Sequence, residues 1–468
     1  MNGDLPVTLS DAATALRRGD VSSVELTTAL FERADELDKV LGTYMTRFDE
    51  TALAAAAQAD ADFAAGTYRG PLQGIPLGVK DIIAAREGPT TACSLVLDPN
   101  WGRGVDAPVV ARLREQGAVI TGKTTTMEFA MGGPDPDGPF PAHRNPWDLE
   151  RWPGGSSAGT GTGVAAGLIY GGLGSDTGGS VRIPSALCGI SGIKTTFGLV
   201  PKSGVVPLGY SLDTVGPMAR TARDCALILQ TIAGHSGDDP TSVDRPVPDY
   251  TAALAGNVSG LRVGVERDHH SGVEGFDADC RDRFEDAIRA LADAGAEIVD
   301  VRFDNYPLVT AAAMVTVAGE AFAYHRKDLQ ERWQDYGREA RSTLSMGAFY
   351  SSGDYVQAQR VRAMGLTTLR GIFERCDVLA TPTIGVGAPR IGDNYWQMMA
   401  WTYTPAWNLL GSPAMSVPMG FIGDNNTVGL QLIGPHFDES TVLRVADAYQ
   451  QVTDWHLQLP PVLATSSH

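Results

Sequence analysis

Short apolar runs recur along the chain and constrain its fold more than any other feature: "IPLGVKD", "AVITGK", "YGGLGSD", "LRVGVER", "AEIVDVRF", "DVLATPT", "AMSVPM" and "VGLQLIG". Runs this short, bounded by turn residues, read as buried strands. Between several of them lie stretches with helical spacing, such as "APVVARLREQG", "DRFEDAIRALADAG" and "ESTVLRVADAYQQVTDWH". Strands alternating with helices in this way predict an α/β fold: a single large mixed β-sheet core covered by helices on both faces. At the start, "LSDAATALRR" and "SVELTTALFERADELD" are helices by periodicity, with Ser10 and Ser22 or Ser23 placed as N-caps. The segment 235–250, "HSGDDPTSVDRPVPDY", is the best linker candidate, yet strand-like runs continue beyond it to residue 434. The reading is therefore one domain over 1–468: N-terminal helices to 65, a catalytic core over 66–235, a peripheral substrate-pocket region over 236–400, and a return to the core sheet with a C-terminal helix over 401–468.

Bulk properties remove several classes of function. A net charge of −18 argues against a nucleic-acid partner, whose phosphates require a basic face. No run approaches the roughly 18 uninterrupted apolar residues of a membrane span, and the start "MNGDLPVTLSDAA" lacks a basic stretch followed by an apolar one, so the expectation is a cytoplasmic protein with no membrane partner. Cys93, Cys188, Cys225, Cys280 and Cys376 are odd in number and form no C-x-x-C pair, which fits reduced packing residues. Without an H-E-x-x-H motif or a cysteine and histidine cluster, no metal and no cofactor is expected.

Chemistry concentrates in residues 154–184, "GGSSAGTGTGVAAGLIYGGLGSDTGGSVRIP". As a phosphate loop it fails, because Ala166 stands where G-x-G-x-x-G needs its last glycine; small residues here also serve to bring a helix close to a sheet. As a nucleophile elbow, G-x-S-x-G puts Ser157 at the centre, but no downstream histidine sits in a motif that singles it out. A third reading joins both serine clusters to Lys80, which ends an apolar strand; Val79 and Asp81 point to the opposite face, so Asp81 need not pair with it. A lysine facing an apolar interior without a carboxylate has a depressed pKa and can serve as a base. From this strand alone, an ordinary surface lysine or a buried ion pair stays open.

The blocks "GVKD", "GGSSAG", "GSDTGGSVRIPSALCGISGIKTTFGLVP" and "SLDTVGPMAR" resemble successive blocks of the amidase-signature family of serine hydrolases. The likeness extends to "MEFAMGG", "RNPWD", "ATPT" and "GLQLIGPHFDESTVLRVADAYQQVTDWH", nearly the whole chain. Ala158 stands where many members have glycine, and Thr196 where many have proline; neither is a catalytic position. The resemblance implies a Ser-cisSer-Lys triad: Ser180 as nucleophile, Ser156 as the bridge after a cis peptide at Gly155, and Lys80 as the base, with Ser157 a bystander. It implies an oxyanion hole from backbone N–H groups of Thr177, Gly178, Gly179 and Ser180, with Asp176 holding the loop and Arg182 supporting it.

For the substrate, the Pro- and Gly-rich stretch "AMGGPDPDGPFPAHRNPW" reads as a loop beside the site, with Met131, Gly132, Gly133 and Phe140 as candidate lining. Aromatic and methionine side chains between residues 305 and 407 are candidates for an apolar acyl or aryl pocket. The implied reaction is hydrolysis of a small-molecule amide, medium-sized and mostly apolar, by a monomer or homodimer. Carbamate cleavage of the urethanase type is an alternative. The rival of another class is the amide-splitting component of a tRNA-dependent amidotransferase complex.

Overall fold

The computed structural model describes residues 5–254 and 256–463. The N-terminal helix Leu9–Arg18 is capped by Thr8, whose side chain accepts from Asp11 N, and it ends where Gly19 turns left-handed at φ 73°. Ser10, expected as the cap, lies inside the helix instead, because the helix starts two residues earlier; its hydroxyl donates to Asp224 at 2.6 Å. Helix Ser23–Leu41 does begin at Ser22, which forms a reciprocal capping box with Glu25.

Among the described residues eleven strands form one sheet: β1 Tyr44–Arg47, β2 Pro76–Lys80, β3 Val119–Thr124, β4 Gly171–Asp176, β5 Ser191–Lys194, β6 Thr214–Ala219, β7 Arg262–Glu266, β8 Glu297–Val301, β9 Val378–Pro382, β10 Ala414–Ile422 and β11 Asn426–Ile433. Their order is β1-β3-β2-β4-β6-β5-β10-β11-β9-β7-β8. Parallel pairs at β3-β2-β4 and β9-β7-β8 flank an antiparallel middle, which makes the sheet mixed. The expected runs correspond to eight of these strands; β1, β5 and β6 have no counterpart among them. In β6, Gly216 and Pro217 hide the strand from an apolar pattern. A Cβ at Gly216 would collide with Ile193 O, so the glycine is the condition for close strand approach.

The segment 236–400 is more than periphery. It supplies β7, β8 and β9 to one end of the sheet as well as the helix Tyr306–Glu331, against which the helices Arg338–Ser345 and Ser352–Phe373 pack. Helix Tyr306–Glu331 is the one among the described residues long and apolar enough, by length and composition, to cross a membrane, yet it packs Val309, Ala313, Val317 and Ala321 into the protein core. All five cysteines are free and buried.

The glycines of helix Ala158–Ala165 bring its backbone against the sheet, as their size predicts. A Cβ on Gly159 would fall on Thr43 O and lie 2.5 Å from Thr125 N, both backbone atoms that cannot swing away. Alanine normally stabilises a helix interior relative to glycine by about 1 kcal/mol. Gly159→Ala should reverse that sign, destabilising by about 1–3 kcal/mol through overpacking. Gly371→Ala, in helix Ser352–Phe373 with no atom within 4 Å of the added carbon, should be neutral or stabilising. Thermal melts of the two variants beside the parent chain test the contrast.

Candidate active site

β2 is buried along its whole length and delivers Lys80 at its C-terminal end with no exposed surface. Asp81, next in sequence, turns away and pairs with the equally buried Lys123 at 3.5 Å. Lys80 Nζ therefore lies among hydroxyls, 2.7 Å from Ser156 Oγ and 2.9 Å from Ser175 Oγ. Burial pushes its pKa down to about 7, against the opposing pull of Asp176, Asp213 and Cys93.

Ser156 follows a cis peptide bond from Gly155. The tip of this turn has little room: a Cβ on Gly155 would sit 3.0 Å from the Trp152 ring and 3.1 Å from Met127. Ser157 is fully buried and occupied structurally, its Oγ donating to Ser175 O at 3.2 Å and its N–H to Ser180 O at 3.1 Å. The elbow reading of Ser157 is thus removed: its hydroxyl ties together the two segments that carry the other serines.

Ser180 precedes helix Arg182–Cys188 and is partly exposed. With Gly155, Ser156, Thr177 and Gly178 it lines a cleft of about 70 Å³. Asp176, at the end of β4, organises the loop between them: it accepts from Gly179 N at 2.8 Å, Val181 N at 3.1 Å, Arg182 Nε at 3.0 Å and Asn408 Nδ2 at 2.8 Å. Burial raises its pKa, but the Arg182 guanidinium, Lys194 and Asn408 outweigh that and hold the carboxyl well below the usual range. Arg182 is itself saturated by Gln431 Oε1 at 2.7 Å, Asn408 Oδ1 at 2.6 Å and Thr404 O at 3.1 Å. Thr177 is fixed by Asp213, whose carboxylate accepts its hydroxyl at 2.6 Å and the N–H groups of Leu208 and Gly209.

Gly179 departs from its expected role. Its N–H is engaged by Asp176, which leaves Thr177, Gly178 and Ser180 as the loop's N–H groups outside that carboxylate's hold. The glycine is required for another reason: at φ 134° a Cβ would collide with Thr404 Oγ1, which donates to Gly178 O at 2.6 Å.

Met131 and Gly132 line the serine cleft, whereas Gly133 and Phe140 line a separate cavity of about 270 Å³ that shares Met131 with it. The cause is the left-handed turn at Gly132, φ 93°, against the backbone of Glu339 and Ala340, which carries the following residues past the cleft. Met314, Val317, Tyr395, Trp396 and Met399, from the expected apolar region, do reach the serine cleft, and no charged side chain and no histidine lines it among the described residues. Sequence reasoning missed Trp152, Ile183 and Leu208 in the lining, and Ser175 beside Lys80. Ser175 had no signal in the strand pattern: alternation puts it on the face of Leu173, whose partner on β2 is Val79, and only the three-dimensional course of the two strand ends brings its Oγ to Lys80.

A family model described as Amidase matches residues 25–443. A glutamyl-tRNA(Gln) amidotransferase subunit from Roseiflexus sp. (strain RS-1) is 42% identical, the match covering 97% of this chain and 98% of that protein. Among solved structures, the native peptide amidase of Stenotrophomonas maltophilia superposes with a TM-score of 0.81 at 30% identity, covering 95% of this chain and 96% of that one. A chain from a vestigial protein complex described as revealing the evolutionary origins of an s-triazine catabolic enzyme superposes at 0.88 with 28% identity, covering 95% and 98%.

Asp176 and Arg182 have no exposed side-chain surface, so removing one charge strands the other. Asp176→Ala should cost about 3–5 kcal/mol of stability. Asp176→Ala/Arg182→Met, which removes both charges, should cost less than the sum of the single changes. Urea unfolding of the three variants measures this, and an additive result would mean that the two groups are not coupled.

Proposed function

The chain belongs to the amidase family, and from that premise we propose that it hydrolyses medium-sized, mostly apolar or aryl amides through Lys80, Ser156 and Ser180. Amide hydrolysis is the family's chemistry; the substrate class and the residue roles are this reading. The observation that carries the roles is Lys80 Nζ at 2.7 Å from Ser156 Oγ, in a cleft that Ser156 shares with Ser180.

Neutral Lys80 withdraws the proton of Ser156 as Ser156 takes that of Ser180, and Ser180 Oγ attacks the carbonyl carbon. The oxyanion forms beside the Thr177–Gly178 turn, where backbone N–H groups can stabilise it without moving at the moment of reaction. When the intermediate collapses, the proton returns through Ser156 to the leaving nitrogen and the amine departs, leaving an acyl ester on Ser180. Water then repeats the attack with the same relay, releasing the acid and restoring the serine. A carbamate carbonyl would enter the same path, with loss of carbon dioxide after release.

The uncharged cleft supports an apolar amide. Free glutamine carries an ammonium and a carboxylate, whose desolvation needs charged partners at the site. A second reading, a component of an amidotransferase that works only with its partners, is favoured by the 42% identity to the Roseiflexus protein.

With a base ionising near 7, kcat/KM should rise with pH through that value and level off above it, because the protonated amine has no lone pair to accept with. Lys80→Met should cost several orders of magnitude, and Lys80→Arg nearly as much, since guanidinium keeps its proton. If Lys80→Arg retains about a tenth of the activity, equivalent to about 1.4 kcal/mol of barrier, lysine is not the base.

The purified chain alone should turn over an aryl amide, lose that activity in Ser180→Ala, and leave glutamine untouched. Amine and ammonia release, measured on a panel of anilides, primary amides, aryl carbamates and glutamine, decides between the readings. Glutaminase activity that appears only with added partner proteins would establish the amidotransferase reading.

A further inference from the structure

Lys80 has two hydroxyl neighbours, and the relay uses one. Ser156 faces the cleft; Ser175, only 4% exposed, approaches from β4, the parallel neighbour of β2, with its Oγ 2.9 Å from Nζ. The backbone holds Ser175 firmly: its N–H donates to Ser157 Oγ at 3.3 Å and its carbonyl accepts from that same hydroxyl at 3.2 Å. Its register is further set by the antiparallel ladder, where it lies opposite Val215 on β6.

A neutral primary amine carries two N–H donors and one lone pair, and rotation about its last carbon–nitrogen bond exchanges them. As a base, Lys80 must present the lone pair to Ser156. A hydroxyl oxygen fixed on another side of Nζ can accept one N–H and remove that rotational freedom. We propose that Ser175 is a positioning residue for amide hydrolysis, accepting an N–H from neutral Lys80 so that its lone pair points at Ser156. The assignment rests on Lys80 being the base, as set out above.

Ser175 acts in both protonation states. In the ammonium form it accepts a charge-assisted bond, which favours the proton on Lys80. Burial works against that proton; Asp176 from β4, Asp213 from the loop before β6 and Cys93 from the loop after β2 work for it. Deleting the Ser175 hydroxyl therefore has two separable consequences: turnover slows because the lone pair is no longer aimed, and the ionisation of Lys80 moves to lower pH because an acceptor of the charged form is gone. A role confined to packing would not move the ionisation.

The test is the pH profile of kcat/KM, with kcat and KM separately, on one aryl amide for the parent chain, Ser175→Ala and Ser175→Thr. Ser175→Ala should lower kcat about tenfold or more with KM little changed, and shift the acid limb down by about half a pH unit. Ser175→Thr, which restores a hydroxyl, should return the limb to the parent position and kcat to within about threefold. Thermal melts establish that each variant is folded; should Ser175→Ala fail to fold, Ser175→Cys, similar in size with a weak sulfur acceptor, is read in its place. An unmoved limb in the hydroxyl-deleted variant overturns the proposal even if kcat falls, as does a kcat loss that Ser175→Thr shares in full. A parent profile with no limb near 7, or an active Lys80→Met, would instead remove the lysine base itself, a failure distinct from that of Ser175.

Discussion

Everything at this site depends on an amine being buried without a carboxylate to hold its proton. A lysine ordinarily brings its charge into a protein only with a partner, and Lys123 does so one strand away, paired with Asp81. Lys80 is offered hydroxyls instead. Sheet geometry enforces the distinction, because alternate residues of a strand face opposite ways and the adjacent acid is directed elsewhere. The same arrangement that makes the lysine costly to bury leaves it available as a proton acceptor near neutral pH.

Around that amine, two carboxylates hold backbone in place. Asp176 and Asp213 each accept several donors from the backbone of the loop that carries Ser180 or from the turn beside it. Asp176 is locked on its far side by Arg182, and Arg182 in turn by Asn408, Gln431 and the carbonyl of Thr404. The loop that carries Ser180 is therefore held from a distance by residues more than two hundred positions away in sequence. Oriented donors of this kind are effective because the framework has been fixed before substrate arrives.

Much of this was legible in the sequence. The eight apolar runs correspond to strands because buried parallel and central strands are continuous in hydrophobicity. Ser156, Ser180 and Lys80 could be named from the motifs that enclose them. Other features could not be read locally. β5 and β6 contain Gly192, Gly216 and Pro217, so their strand character comes from pairing with neighbours rather than from their own pattern. The N–H of Gly179 was assigned from the motif, yet its hydrogen bond depends on where the Asp176 carboxylate turns. Gly133 and Phe140 lie past the cleft because of one left-handed residue, whose conformation a glycine permits but does not specify.

The strand order carries a consequence for how the molecule comes into being. Among the described residues, β9, β7 and β8 are joined to the rest of the sheet only through β11, the last strand in sequence. During synthesis these three strands can pair with one another, but they have no seat on the main sheet until residues 426–433 have emerged. Gln431, which helps saturate Arg182, arrives with that strand, and Asn408 shortly before it. The segment bearing Lys80, Ser156 and Ser180 can thus be made long before the groups that brace it, and the buried Arg182 acquires its full set of partners only as β11 is laid between β10 and β9. Closure of the sheet and full bracing of the Ser180 loop both wait for β11, which ties an organised site to the seating of that one strand.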